Sequence, residues 1–160
     1  MTPLEGAHRD ASSGLERELL AIGFAHVGWL RDKGLCLEVE LGPSLVGVYV
    51  MVLDGQAFNI GESRSVRKRL QSYAKWLGTS YDKENERHKR ERRAQDHWET
   101  NVVRRQLDIY VRPSDTLSLF GVTVHLNKPE EAALIERFSS YWNRRRQMSV
   151  PQVPTDAKRT

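Results

Sequence analysis

The sequence predicts an α/β domain: a small mixed or antiparallel sheet flanked by helices, with an N-terminal helix and two strands added ahead of the core. Three observations carry this. Val48, Val50 and Val52 alternate with Tyr49, Met51 and Leu53, the period of a strand rich in β-branched residues. Asp54-Gly55 follows, a pair suited to the positive φ angles of a tight hairpin turn, and Ala57 to Ile60 reads as the return strand. Val66, Leu70, Tyr73 and Leu77 then recur at helical spacing.

Taken in order, residues 1–12 are small and polar, the composition of a disordered N-terminus. Ser12 or Ser13 can cap a helix to Ile22 with Leu15, Leu19, Leu20 and Ile22 on its apolar side, ended by Gly23. Phe24 to Leu30 and Leu35 to Leu41 read as two strands; in the second, leucines and Val39 alternate with Cys36, Glu38 and Glu40, so one face is buried and one wet. This helix and strand pair define a unit, 13–45, packed on a core, 46–145. Gly61 is placed where the return strand bends sharply. Ser63 or Ser65 can cap the next helix. Tyr81 to Arg105 is dense in charge, and Leu107 to Arg112 is a strand stopped by Pro113-Ser114-Asp115. Val122 to Leu126 is a further strand candidate. Asn127 and Glu130 have capping-box spacing for a last helix with Leu134, Ile135, Phe138 and Trp142 on its apolar side. Residues 146–160 form a tail poor in apolar mass.

The formal net charge is +4 over 160 residues, and it is uneven. From Glu62 to Arg105 there are 13 Lys/Arg against 7 Asp/Glu, so the remainder of the chain is net negative. Arg64, Arg67, Lys68, Arg69 and Lys75 decorate the helix after the hairpin, and Arg87, Arg90 and Arg93 lie in the charged segment behind it. A solvated helix is the plain reading of that segment; the sharper one is a basic wall for a phosphate-bearing partner. The single cysteine, Cys36, excludes an intrachain disulfide and a Cys-rich metal site, and its glutamate neighbours make it a poor nucleophile. With no apolar run of ~18 residues and no signal-peptide pattern, the expectation is a cytoplasmic protein without a membrane partner.

The stretch Gly47 to Tyr73 resembles the GIY-YIG nucleases. Gly47-Val48-Tyr49 stands at the GIY element. Asn59-Ile60-Gly61 stands at YIG, with Asn59 in place of its tyrosine and Phe58 beside it. Arg69 and Tyr73 fall on the family's helical arginine and its His-or-Tyr position. Glu131-Ala132-Ala133-Leu134-Ile135 looks like the metal-binding glutamate helix, and Asn143 matches the closing asparagine. The match spans residues 46 to 143.

The resemblance implies a Mg²⁺- or Mn²⁺-dependent endonuclease acting on double-stranded DNA, compact, restriction-like and able to pair as a homodimer. Tyr49 would deprotonate the attacking water, Arg69 and Tyr73 would engage the scissile phosphate, Glu131 would be the single carboxylate ligand of the metal, and Asn143 would support it. Asn59 and Gly61 are motif positions without an assigned role. A Tyr49 base further implies a phenol pKa lowered from ~10 by nearby cations. Each residue also has a plain structural reading: Tyr49 and Tyr73 as packing residues, Arg69 as one surface cation among many, Glu131 as an acid favoured in a first helical turn, Asn143 as a cap. The rival from another class is a nucleic-acid-binding protein of the same fold with reduced catalysis, which Asn59 favours. Metal-dependent nicking separates the two.

Overall fold

A computed structural model describes residues 14–31, 34–78 and 106–138, with the side chains of 75–78 excepted. The elements are α1 (Gly14–Ala21), β1 (Ala25–Arg31), β2 (Gly34–Leu37), β3 (Gly47–Leu53), β4 (Gln56–Ser63), α2 (Val66–Gly78), β5 (Leu107–Pro113), β6 (Thr116–Leu119), β7 (Val122–His125) and α3 (Asn127–Phe138). Five strands form one sheet in the order β2-β1-β5-β3-β4. Every neighbouring pair in it is antiparallel, which resolves the predicted alternative of a mixed sheet. β6 and β7 form a separate two-stranded ribbon.

The alternation in β3 divides the core into two. Tyr49 and Met51 join Val27, Leu30, Ile109, Val66, Leu70 and Tyr73 on one face, beneath α2. Val48, Val50 and Val52 join Leu19, Ile60, Tyr110 and Leu134 on the other, beneath α1 and α3. The turn between β3 and β4 has Asp54 at φ 52° and Gly55 at φ 77°, as the sequence required. The register shifts between Met51, opposite Asn59, and Val52, opposite Ala57, so β4 carries a bulge at Phe58. Phe58 and Asn59 consequently both serve the α2 face: Phe58 packs in that core and the Asn59 amide reaches Tyr73 there.

Local chemistry sets the helix ends. Gly23, at φ 98°, follows α1; Phe24 N donates to Leu19 O and Gly23 N to Leu20 O, a paired closure that suits a glycine in the left-handed region. Of the two candidate serines, Ser65 caps α2, accepting from Lys68 N at 3.4 Å. Ser63 accepts from Ser65 N and donates to Ser65 O, fixing the entry to the helix.

Several expectations are corrected. Leu20 points to solvent, 42 % exposed, and Glu16 is buried in α1 in its stead because the Tyr110 hydroxyl donates to its carboxylate. β2 ends at Leu37 rather than continuing to Leu41, since Glu38 N and Val39 N both turn onto Val27 O. Gly61 lies inside β4, paired with Tyr49, and marks no bend. The Asn127–Glu130 capping box does not form. Asn127 Nδ2 donates to Glu62 across to β4, while Glu130 accepts from Arg112 Nη1 (2.9 Å) and from Asp115 N (3.2 Å). The Val122 strand is confirmed, but its partner β6 was not anticipated. No helix among the described residues is long and apolar enough to cross a membrane.

Candidate active site

The site forms at one end of the sheet, where β3 begins and β4 finishes. Gly47 pairs with Ser63 on one side and Pro113 on the other, and Tyr49 sits two residues in, paired with Gly61. The bare Cα of Gly61 is what admits the Tyr49 ring: a Cβ there would overlap the Tyr49 hydroxyl and sit 2.8 Å from Cε1. The glycine is therefore required by close approach, at a strand position that otherwise favours a side chain.

Tyr49 and Tyr73 meet across the β3–α2 interface. Their rings pack edge to face, with centroids 6.0 Å apart, and their hydroxyls share a hydrogen bond of 3.0 Å. Asn59 Nδ2 donates to the Tyr73 hydroxyl at 2.9 Å, and its second proton faces Met51 Sδ at 3.9 Å. Asn59 is 1 % exposed, and its Oδ1 has no hydrogen-bond partner among the described residues. Turning the amide over would leave two buried donors unmet rather than one acceptor, so the observed orientation is the cheaper one. In place of the expected tyrosine, Asn59 is a buried prop for the Tyr73 hydroxyl.

Electrostatics gathers charges from two further elements around Tyr49. Its phenol pKa lies well above the ordinary value of 10.0, first because burial disfavours the phenolate, then through the charge and hydrogen bond of Tyr73. Arg69 on α2 pulls it down and Glu131 on α3 pushes it up, so both side chains act on the same hydroxyl. The expectation of a lowered phenol pKa is thus corrected: Arg69 has the expected sign, but desolvation outweighs it.

Arg69 is exposed on α2, and Arg64 and Lys68 are exposed beside it, with Arg67 half-buried. Glu131 is half-buried on α3, just beyond the first turn, where the acid is Glu130, so its expected first-turn position is corrected. Among the described residues, no group of three or more His, Cys, Asp or Glu side chains converges on a metal position. The neighbouring acid Glu130 is committed to Arg112 and Asp115 N. The donor set fits a hard cation that keeps several waters and takes one carboxylate plus substrate phosphate, the habit of Mg²⁺ or Mn²⁺, and does not fit an all-protein cage.

The structure brings Tyr49, Tyr73, Asn59 and Gly61 into one cluster, with Arg69 and Glu131 in electrostatic reach. Asn143, Arg87, Arg90 and Arg93 lie outside the described residues, as does the side chain of Lys75. Sequence reasoning missed the buried polar pairs on the other face of the sheet: Tyr110 with Glu16, and His26 Nε2 with Asp108 Oδ1 at 3.0 Å. No local signal marks these, because the partners are 94 and 82 residues apart.

No protein-family model matches the chain, and no curated protein does. Among solved structures, the chain is similar to a mutant of bacteriophage T4 EndoII, at 15 % identity and a TM-score of 0.57, covering 81 % of this chain and 98 % of that one. It is also similar to the restriction endonuclease HPY188I in complex with product DNA, at 17 % identity and a TM-score of 0.42, covering 96 % and 100 %. The likeness to EndoII is one of architecture, and this α/β chain shares its fold with that protein.

Proposed function

We propose that this chain is a divalent-metal-dependent endonuclease that hydrolyses DNA phosphodiesters, with its centre at Tyr49, Tyr73, Arg69 and Glu131. The observation that carries the reading is the Tyr49 hydroxyl, which is bonded to Tyr73 and lies in the opposed fields of Arg69 and Glu131. Three separate elements are needed to assemble that arrangement, and core packing alone requires neither charge. The fold shared with an EndoII structure supports it, as does the placement of Arg67 and Lys68 on the same helix as Arg69, with Arg64 ahead of the helix rather than on it as the sequence suggested.

In this reading, Tyr49 in its ionised form takes a proton from the attacking water. The water oxygen bonds to phosphorus, the bond to the departing ester oxygen breaks, and that oxygen leaves with the bonding pair. Arg69 meets the charge that develops on the phosphoryl oxygens; its guanidinium cannot be titrated away. Tyr73 holds the Tyr49 hydroxyl in place, and Asn59 holds Tyr73. Glu131 is the carboxylate that would hold Mg²⁺ or Mn²⁺, which supplies positive charge to the phosphate and leaving oxygen when bound.

The alternative is a DNA-binding protein of this fold with reduced catalysis, favoured by Asn59 and by the raised pKa of Tyr49. The deciding measurement is nicking of supercoiled plasmid with and without Mg²⁺, for wild type and Glu131→Gln. Metal-dependent nicking that the variant loses, with duplex binding kept, is the expected outcome. Duplex binding without any nicking by wild type would select the alternative, and nicking by Glu131→Gln at the wild-type rate would remove the metal assignment.

A further inference from the structure

The ribbon of β6 and β7 stands outside both cores. Its register places Leu117 opposite Val124 and Leu119 opposite Val122, so these four share one face. Thr116, Ser118, Thr123 and His125 occupy the other. The apolar face is open to solvent: Leu117 is 48 % exposed, Leu119 44 %, Val122 61 % and Val124 36 %. Phe120 at the tip is 103 % exposed. It also adopts φ 52°, ahead of Gly121 at φ 78°, in a two-residue turn. Such a turn favours Asn or Gly at its first position, and a bulky side chain there is an outlier. Neither burial nor turn chemistry explains an aromatic residue at this position.

The base of the ribbon is held firmly. Arg112 binds Asp115 Oδ2 at 3.1 Å and Glu130 Oε2 at 2.9 Å, and its Nε donates to Ile22 O at 2.9 Å. Leu126 N closes the ribbon onto Asp115 O, and Ser114 N donates to Val46 O. That base lies at the end of the sheet where the candidate site forms. Pro113 pairs with Gly47, and Asn127, which follows the ribbon directly, contacts Glu62 one residue from Gly61. Glu131 is one helical turn further along α3.

We propose that this ribbon is a wedge that enters the base stack of the bound duplex beside the scissile phosphate, with Phe120 leading and the Leu117–Val124 face following. The proposal rests on the nuclease reading of the neighbouring site. Two features select stacked bases over a second copy of the chain. Residues 116 to 124 carry no charge, so phosphate contact falls to Arg64, Lys68 and Arg69 at the same end, and an apolar tip gains only where water is excluded. The apolar face covers two strands by four residues, a footprint of about 10 by 14 Å. A stable protein interface takes about 800 Å² from each partner, several times that footprint. Apolar side chains inserted at a base step need no such area and kink the duplex by unstacking it.

The test uses the full chain without divalent metal and a duplex carrying 2-aminopurine, with binding followed by anisotropy on the same DNA. Wild type is expected to raise 2-aminopurine fluorescence at saturation. Phe120→Asn suits the positive φ of the turn, so its melting temperature should equal or exceed that of wild type; it should still bind and lose most of the fluorescence gain. Leu119→Ser, on the exposed face, should lose part of it. Saturated binding by wild type with unchanged fluorescence overturns the wedge and leaves the nuclease reading standing. A wild-type dimer that Phe120→Asn or Leu119→Ser dissociates overturns it in favour of a second copy. Failure of wild type to bind duplex at all removes the nuclease reading and the wedge together.

Discussion

At the scale of single residues, the site turns on a buried phenol whose neighbours disagree. Burial, Tyr73 and Glu131 keep Tyr49 protonated, and among the described residues Arg69 opposes them. If the ionised form is the base, the nicking rate rises about tenfold per pH unit and shows no plateau below the ordinary tyrosine value of ~10. Tyr49→Phe is expected to lose most activity and the pH dependence with it; a variant that nicks as fast as wild type throughout removes Tyr49 from the chemistry. The same shift bears on stability. The folded pKa is raised above the unfolded one, so the group's contribution is complete below ~10 and is lost as pH rises through the folded value. Wild type should therefore lose stability between pH 8 and pH values above ~10 by more than Tyr49→Phe does, as read by urea unfolding. Asn59 and Gly61 both act on the tyrosine pair by placement: one props Tyr73 and the other makes room for Tyr49.

At the scale of elements, what was legible in the sequence depended on how far its cause lay along the chain. The β3 strand, the Asp54-Gly55 turn and the Ser65 cap of α2 are written within a few residues of where they act, and the structure keeps all three. The role of Glu130 could not be read the same way, because Arg112 sits 18 residues before it and outcompetes the local cap. β6 is the instructive miss. Thr116 to Leu119 and Val122 to His125 alternate on either side of Phe120-Gly121, the pattern of a hairpin, yet the apolar set faces water, so no core position pointed to it. The β3–β4 pairing itself can be tested at Gly61. Gly61→Ala drives a methyl group into Tyr49, which is buried and fixed by Tyr73. The expected cost is about 1–3 kcal/mol of stability, as for other overpacked cores. Nicking should fall while duplex affinity holds, because the displaced group is Tyr49 and the exposed cations are untouched. Wild-type nicking by a stable Gly61→Ala protein would mean that the Tyr49 position does not matter.

At the scale of the whole molecule, the distribution of charge would, on the proposed reading, divide binding from chemistry. The chain carries +4, yet the stretch from Glu62 to Arg105 holds 13 of its 25 Lys and Arg residues. Arg64 and Lys68 are exposed at the end of the sheet where Tyr49 lies, and on the proposed reading each phosphate they neutralised would release counterions. Replacing both with Gln should reduce the slope of log K against log salt by about 1.8, near 0.9 for each contact, with no change in the pH dependence of nicking. Arg87, Arg90 and Arg93 replaced together offer a separate measure of the charged segment, and a slope that stays at the wild-type value would make it a solvated face. Phe120→Asn is the internal control. It removes no charge, so its salt slope should match wild type even where its fluorescence signal does not. An Arg64 and Lys68 double variant whose slope equals that of wild type would detach α2 from the phosphate backbone. Arg69, next to Lys68 on that helix, would then lose its claim to the scissile phosphate.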